Sequence, residues 1–302
     1  MKQKESRKRF RRVMQEFCEC AMHLLFLLCG IVSVAFVLFI SVYLIISGIP
    51  AIREVGLIPF LFGTTWAPTA KTAEPSFGIL PFLLTSVYGT AGACLLGVPI
   101  GILTAVFLAK AAPPKVAAVI RSAVQLLAGI PSVVYGLVGI NVLVPAIQRA
   151  FHLASGACLL TAILVLTVMI LPSIINVSET ALRAVPREYE EGSLALGATE
   201  IETYFRVSLH AASSGVATSV VLGAGRAIGE AMAIIMVSGN VPNLPSLFGS
   251  VRFLTTAIAS EMSYASAGSL QRQALFSIGL VLFLFILLIN AVLNLALKRR
   301  AN

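Results

Sequence analysis

Apolar residues in this chain run in long blocks separated by short polar stretches, with neither the alternation of a half-buried strand nor the spaced stripe of a surface helix. The first block, Ala21 to Ile46, contains no lysine, arginine or glutamate. It exceeds the roughly 20 residues that carry a helix across the bilayer core. Further blocks at 77–109, 122–147, 157–177, 212–237 and 273–297 each read as another span, which predicts six crossings. Lys2, Lys4, Arg7, Lys8, Arg9, Arg11 and Arg12 precede the first block. That block is too long for a signal-peptide core and lacks a small-residue cleavage site, so it reads as a retained span.

The breaks inside the blocks carry information of their own. The second span holds Gly78, Pro81, Gly89, Gly92, Gly97, Pro99 and Gly101. Residues of this kind are tolerated at depth where protein covers the backbone. The third contains Ala128-Gly129-Ile130-Pro131-Ser132, about 15 Å past Arg121 at 1.5 Å per residue. A break near the midplane is where carriers tend to place a substrate site, and it is equally a kink for packing. Ser132 and Tyr135 share that ambiguity between lining a path and filling a core. Residues 48–76, with four prolines and Trp66, read as a loop with a docking or interfacial role.

From 178 to 210 the composition changes, with Glu179, Arg183, Arg187, Glu188, Glu190, Glu191, Glu200, Glu202 and Arg206 in quick succession. Pro186 suits the start of one short helix. Thr199 and Glu202 have capping-box spacing for a second, and Gly197 marks the break between them. Leu194, Leu196, Ile201 and Phe205 give these helices an apolar face.

Composition agrees with a polytopic membrane protein: 58% of 302 residues are hydrophobic and 12% charged, with a mean hydropathy of +0.95. The net charge of +9 does not indicate nucleic acid, because the basic residues are dispersed between spans. Placing both termini inside puts sixteen lysines and arginines on that side and five outside, as the positive-inside bias requires. Five cysteines give no disulfide framework, and Cys18 and Cys20 read as an interfacial pair. His23, His152 and His210 are scattered without ligand spacing, which argues against a metal site. All thirteen acidic residues are glutamates, and no nucleophile–base constellation points to an intramembrane enzyme. No phosphate-binding loop of the Gly-x-x-x-x-Gly-Lys-Ser/Thr type occurs, so the chain does not hydrolyse ATP by that route.

One stretch stands apart, Val220 to Met236, an apolar run that carries Arg226 and Glu230. Ionisable groups at that depth are costly, and function is their default explanation. On a continuous helix their spacing puts both on one face, one turn apart. Gly225 and Gly229 repeat the spacing and predict a closely packed partner helix. Arginine presents a planar fork of donors suited to an oxyanion. Glu230 is expected to aim that fork and to accept the proton that a protonated anion carries. The opposing reading is a buried pair that merely neutralises two charges.

The segment Glu191-Gly192-Ser193-Leu194-Ala195-Leu196-Gly197, followed nine residues later by Val207-Ser208-Leu209-His210, resembles the EAA loop of ABC-importer permeases. His210 stands where the family usually has proline. Four further segments, Phe77 to Phe82, Gly129 to Leu137, Ser178 to Pro186 and Gly225 to Glu230, together resemble the PstC-type permeases of bacterial phosphate importers. The resemblance covers Phe77 to the carboxyl end. It implies a six-helix, all-α fold of the type I ABC-importer permease class in the bacterial inner membrane. The expected organisation is residues 1–76 as amino terminus, first span and outside loop, 77–297 as permease core with a coupling loop at 178–210, and 298–302 as tail. It implies a second, A-type permease, two copies of a cytoplasmic ATPase that carries ATP and magnesium, and an extracytoplasmic phosphate-binding protein. This chain itself is expected to hold no cofactor. Arg226 and Glu230 are then expected in the phosphate path, with Pro131, Ser132 and Tyr135 as further lining, and Glu191, Gly192, Ser193 and Gly197 in ATPase coupling. Permeation of another oxyanion, or a stand-alone secondary carrier, are the alternatives; ATP dependence separates the carrier.

Overall fold

The computed structural model describes the backbone of residues 2–69 and 75–301 and the side chains of 19, 21–69 and 75–292. Cys18 and Cys20 lie outside the described side chains. Helix α1 (Lys2–Val55) leads to α2 (Leu57–Phe62) and a two-stranded antiparallel hairpin, β1 (Trp66–Ala67) with β2 (Ser76–Phe77). Helix α3 (Leu80–Val106) ends in a π-helical turn, Phe107–Ala111. Next come α4 (Pro114–Gly129), α5 (Ser132–Val138), a second π-turn at Gly139–Leu143, and α6 (Val144–Ala150). Helix α7 (Leu159–Arg183) precedes the short α8 (Arg187–Ala195) and α9 (Glu200–Glu202), a third π-turn at Thr203–Ser208, and α10 (Leu209–Ala211). The chain closes with α11 (Ser213–Gly229), α12 (Met232–Val237), α13 (Leu254–Glu261) and α14 (Leu270–Ala301).

Among the described residues, five helical segments are long and apolar enough to cross a membrane: 21–55, 80–111, 132–150, 159–183 and 270–292. A sixth arises if 200–211 and 213–229, bent by 74° at their junction, count as one span. The third of these segments begins at Ser132, after the Pro131 break, and the stretch from Ser122 belongs to the separate helix α4. Charge does not end α7 either: it continues through Glu179 to Arg183, because Glu179 is buried between Arg121 and Arg183.

The seam between α3 and α7 explains the glycines of the second span. A Cβ added at Gly92, Gly97 or Gly101 would lie 2.7–2.8 Å from Ile163, Ile170 or Ile174 respectively. Each missing side chain makes room for a β-branched residue of α7, and close packing of this kind is what joins helices where no hydrophobic effect acts between them. Ile174 also meets Gly223 of α11, so three helices converge on one side chain.

A second core cluster forms at the opposite end from the charged loop. Trp66 is buried there, edge-on to Phe77 and Phe82 with centroids 5.8 and 5.5 Å away. Its indole N–H donates to both oxygens of Glu261 at 3.0 Å. Trp66 itself is thus a core residue with its polar group paired, whereas Leu57, Ile58 and Phe62 of the same segment are exposed. Pro50, expected in a loop, lies inside α1.

Candidate functional site

The Arg226–Glu230 stretch is not one helix. Helix α11 stops at Gly229, and Glu230 is extended (φ −73°, ψ 128°) before α12 begins. Arg226 therefore occupies the last turn of α11 while Glu230 occupies the break, and the shared helical face expected from their spacing does not form. No ion pair joins them among the described residues. Glu230 instead turns forward, and its Oε1 accepts the Ala233 backbone N–H at 3.0 Å. This satisfies one of the donors that the start of α12 would otherwise leave orphaned. The Glu230 carbonyl accepts from Thr255 Oγ1 at 2.7 Å, which ties the break to α13.

Arg226 donates one long hydrogen bond, 3.5 Å, to Ser173 Oγ and is half-buried. Most of its donor fork is unused. The predicted helix against Gly225 and Gly229 is also missing within the chain: a Cβ at either would meet nothing within 4 Å. That face is open.

A matching break lies between α4 and α5. Ile130 has φ −70° and ψ 126°, close to the values at Glu230, and Pro131 follows it. Tyr135 bridges this break, its hydroxyl donating to the Leu127 carbonyl at 2.6 Å. Tyr135 is thus engaged in holding the break, whereas Pro131 is exposed and Ser132 half-buried. The segments beyond the two breaks pack on each other: a Cβ at Gly136 would sit 2.7 Å from Met236 Sδ and 3.0 Å from Ala233 Cα. Two interrupted helices thus meet just past their discontinuities, and Arg226 projects from beside one of them.

The charged loop forms a second candidate site. Pro186 caps α8, Gly197 has φ +88°, and Thr199 and Glu202 form a reciprocal capping box, all as the spacing predicts. The Thr199 backbone N–H and hydroxyl hold the Glu202 carboxyl below the usual carboxylate range. Glu191, Gly192 and Gly197 are exposed; Ser193 exchanges a 2.9 Å hydrogen bond with Thr203. Leu194, Leu196, Ile201 and Phe205 are 44%, 91%, 69% and 43% exposed. The apolar face expected for these helices is uncovered within the chain and turned outward.

Residues 97–301 match the family model described as the binding-protein-dependent transport system inner membrane component. The chain belongs to that family. It is 40% identical over 269 residues to the probable ABC transporter permease YqgH of Bacillus subtilis, with 87% of this chain and 86% of that protein covered. It is 37% identical over 265 residues to the phosphate transport system permease PstC of Haemophilus influenzae, covering 81% and 82%. A chain of the inward-facing MetNI methionine ABC transporter superposes with a TM-score of 0.59 at 19% identity, covering 74% of this chain and 95% of that one. The fold is that of ABC-importer permeases in the inner membrane.

Several polar groups of this permease escaped the sequence reading. Glu190 pairs with Lys110 Nζ and accepts from Ser208 Oγ at 2.7 Å. Burial pushes its carboxyl up, but the hydrogen bonds from Lys110 and Ser208, helped by the charges of Lys110 and Arg187, outweigh that and hold it below its ordinary 4.5. Glu179 receives Arg121 Nε at 2.6 Å and Arg183 Nε at 2.9 Å. Glu261 gathers Trp66, Arg252 and Gln271. Only the Glu179–Arg183 pair has a helical spacing that a sequence displays; the other partners come from distant segments.

Proposed function

We propose that the chain is a permease subunit of an ATP-driven phosphate importer. The observation that carries this reading is Arg226: a half-buried guanidinium with an unused donor fork, set at a helix break and beside an open glycine face. Such a fork recognises an oxyanion through paired charge-assisted hydrogen bonds. The phosphate-permease relatives favour phosphate as that anion.

In this reading the Gly225–Gly229 face receives the second, A-type permease, and the path runs between the two subunits past Arg226 and Glu230. Pro131 and Ser132 line it at the other break. Glu230 keeps one carboxylate oxygen on Ala233 and has the other to accept a hydrogen bond from the hydroxyl of hydrogen phosphate, which sulfate lacks. The exposed apolar face of the charged loop, with Glu191, Gly192, Ser193 and Gly197, docks the ATPase, of which two copies bind ATP and magnesium. An extracytoplasmic phosphate-binding protein delivers substrate, and both termini are cytoplasmic.

The test is reconstitution with the cognate second permease, ATPase and binding protein in proteoliposomes, followed by labelled phosphate entry. ATP-dependent phosphate uptake is expected. Uptake that persists without the ATPase would identify a secondary carrier, and ATP-driven uptake of sulfate in place of phosphate would identify a different oxyanion importer.

A further inference from the structure

Two of the wide π-helical turns lie at the same end of the bundle and are joined by three side chains. Lys110 belongs to the turn that ends the α3 span, and Ser208 to the turn that leads from the charged loop toward α11. Glu190 of α8 sits between them, paired with Lys110 Nζ and accepting from Ser208 Oγ at 2.7 Å. The Tyr204 hydroxyl adds a link back to the Lys110 carbonyl at 3.4 Å. The Lys110 and Glu190 side chains are only 11% and 19% exposed, and Ser208 is fully buried. Removing one partner of such a pair leaves an uncompensated charge, so the contact is held firmly in place.

The rest of α8 is tied less strongly. Its neighbours Glu191 and Gly192 are exposed, and Gly192 and Gly197 would meet nothing within 4 Å if given a Cβ. No buried apolar side chain anchors α8, since none of its residues is buried. A displacement of α8 by an outside partner is passed to the Thr203–Ser208 turn by Ser193 and Glu190, and through the charged pair of Glu190 with Lys110 to the base of α3. Helix α3 in turn carries the glycine seam against α7, and α7 presents Ser173 to Arg226. π-Turns recur at functional positions because their widened ring accommodates a register change without breaking the helix.

We propose that Lys110, Glu190 and Ser208 form the strut by which movement of the α8 docking helix is transmitted to α3, and so couples ATP hydrolysis to substrate passage. These are positioning residues: none touches substrate or nucleotide. The proposal rests on the importer reading above.

The reconstituted full complex tests it, with phosphate uptake and ATP hydrolysis measured in the same vesicles and expressed as a ratio per assembled complex. In Lys110→Met and Glu190→Gln, hydrolysis continues while phosphate moved per ATP falls by roughly fivefold or more, the lower range for coupling between sites. The double exchange, Lys110→Glu with Glu190→Lys, recovers most of that ratio. An unchanged ratio in the single variants overturns the proposal. So does a double exchange no better than either single, since a strut made by this pair needs only that the two side chains attract, whichever of them is positive. If the single variants do not assemble with the ATPase, Ser208→Ala, which removes only one donor, is expected to lower the ratio in the same direction; no change there also overturns the strut. Absence of ATP-driven uptake in the unaltered complex would instead refute the importer reading.

Discussion

Arg226 and Glu230 lie four residues apart and form no ion pair in this fold. Glu230 is occupied as the cap of α12, so its distance from Arg226 leaves the guanidinium unneutralised. A charge-assisted hydrogen bond contributes about 1.5–3 kcal/mol. Arg226→Ala is therefore expected to lower the initial rate of ATP-driven phosphate uptake by roughly tenfold or more, with co-purification of the partner subunits unchanged. Normal uptake would remove Arg226 from the path.

Glu190 supports a pH prediction. Its folded pKa lies below the ordinary 4.5, so its contribution to holding the charged loop is complete above that value and is lost as pH falls through the lowered pKa. Protection of the amides across residues 187–210, taken relative to the intrinsic exchange rate at each pH, should be constant near neutrality and should fall only at pH values below the ordinary carboxylate range. A change in that protection between pH 6 and 8, roughly where histidines titrate, would show that another group controls the loop.

At the scale of elements, glycines act in two separate ways, and substitution distinguishes them. Gly136 is a packing glycine with Met236 Sδ and the Ala233 backbone against it. Gly136→Ala overfills that contact and is expected to cost about 1–3 kcal/mol, seen as a lower Tm of the detergent-solubilised chain. Gly197 has open space around it and a φ of +88°. Gly197→Ala meets only backbone strain of about 1–2 kcal/mol, confined to the α8–α9 corner. Thermal stability of the bundle should then be nearly unchanged while association with the ATPase weakens. The reverse pattern would exchange the roles given to these positions.

For the whole molecule, the open surfaces are as informative as the cores. The face of Gly225 and Gly229, the outward Leu196 and Ile201, and the exposed apolar side chains from Met22 to Ile46 along α1 are unmatched within the chain. Along the α1 span such side chains suit hydrocarbon, whereas the loop and glycine faces are the ones that the proposed partners would cover. Two interrupted helices, broken at Ile130–Pro131 and at Glu230–Ala231, pack together where they resume and bring polar backbone and Arg226 to the same interior region.

The amino-acid sequence by itself determined that the chain crosses the membrane repeatedly, the proline break between α4 and α5, and the helix starts and turn of the loop at Pro186, Gly197 and Thr199. These depend on local hydropathy and on backbone preferences within a few residues, and nearby residues carry that information. Only the tertiary structure decided that α11 ends before Glu230, that Trp66 is a core residue on Glu261, and that Lys110 and Ser208 meet at Glu190. An apolar run containing glycines is compatible with either a continuous or an interrupted helix. What selects the interruption here is the hydrogen bond from Thr255, twenty-five residues onward, together with the seat that Gly136 makes for α12.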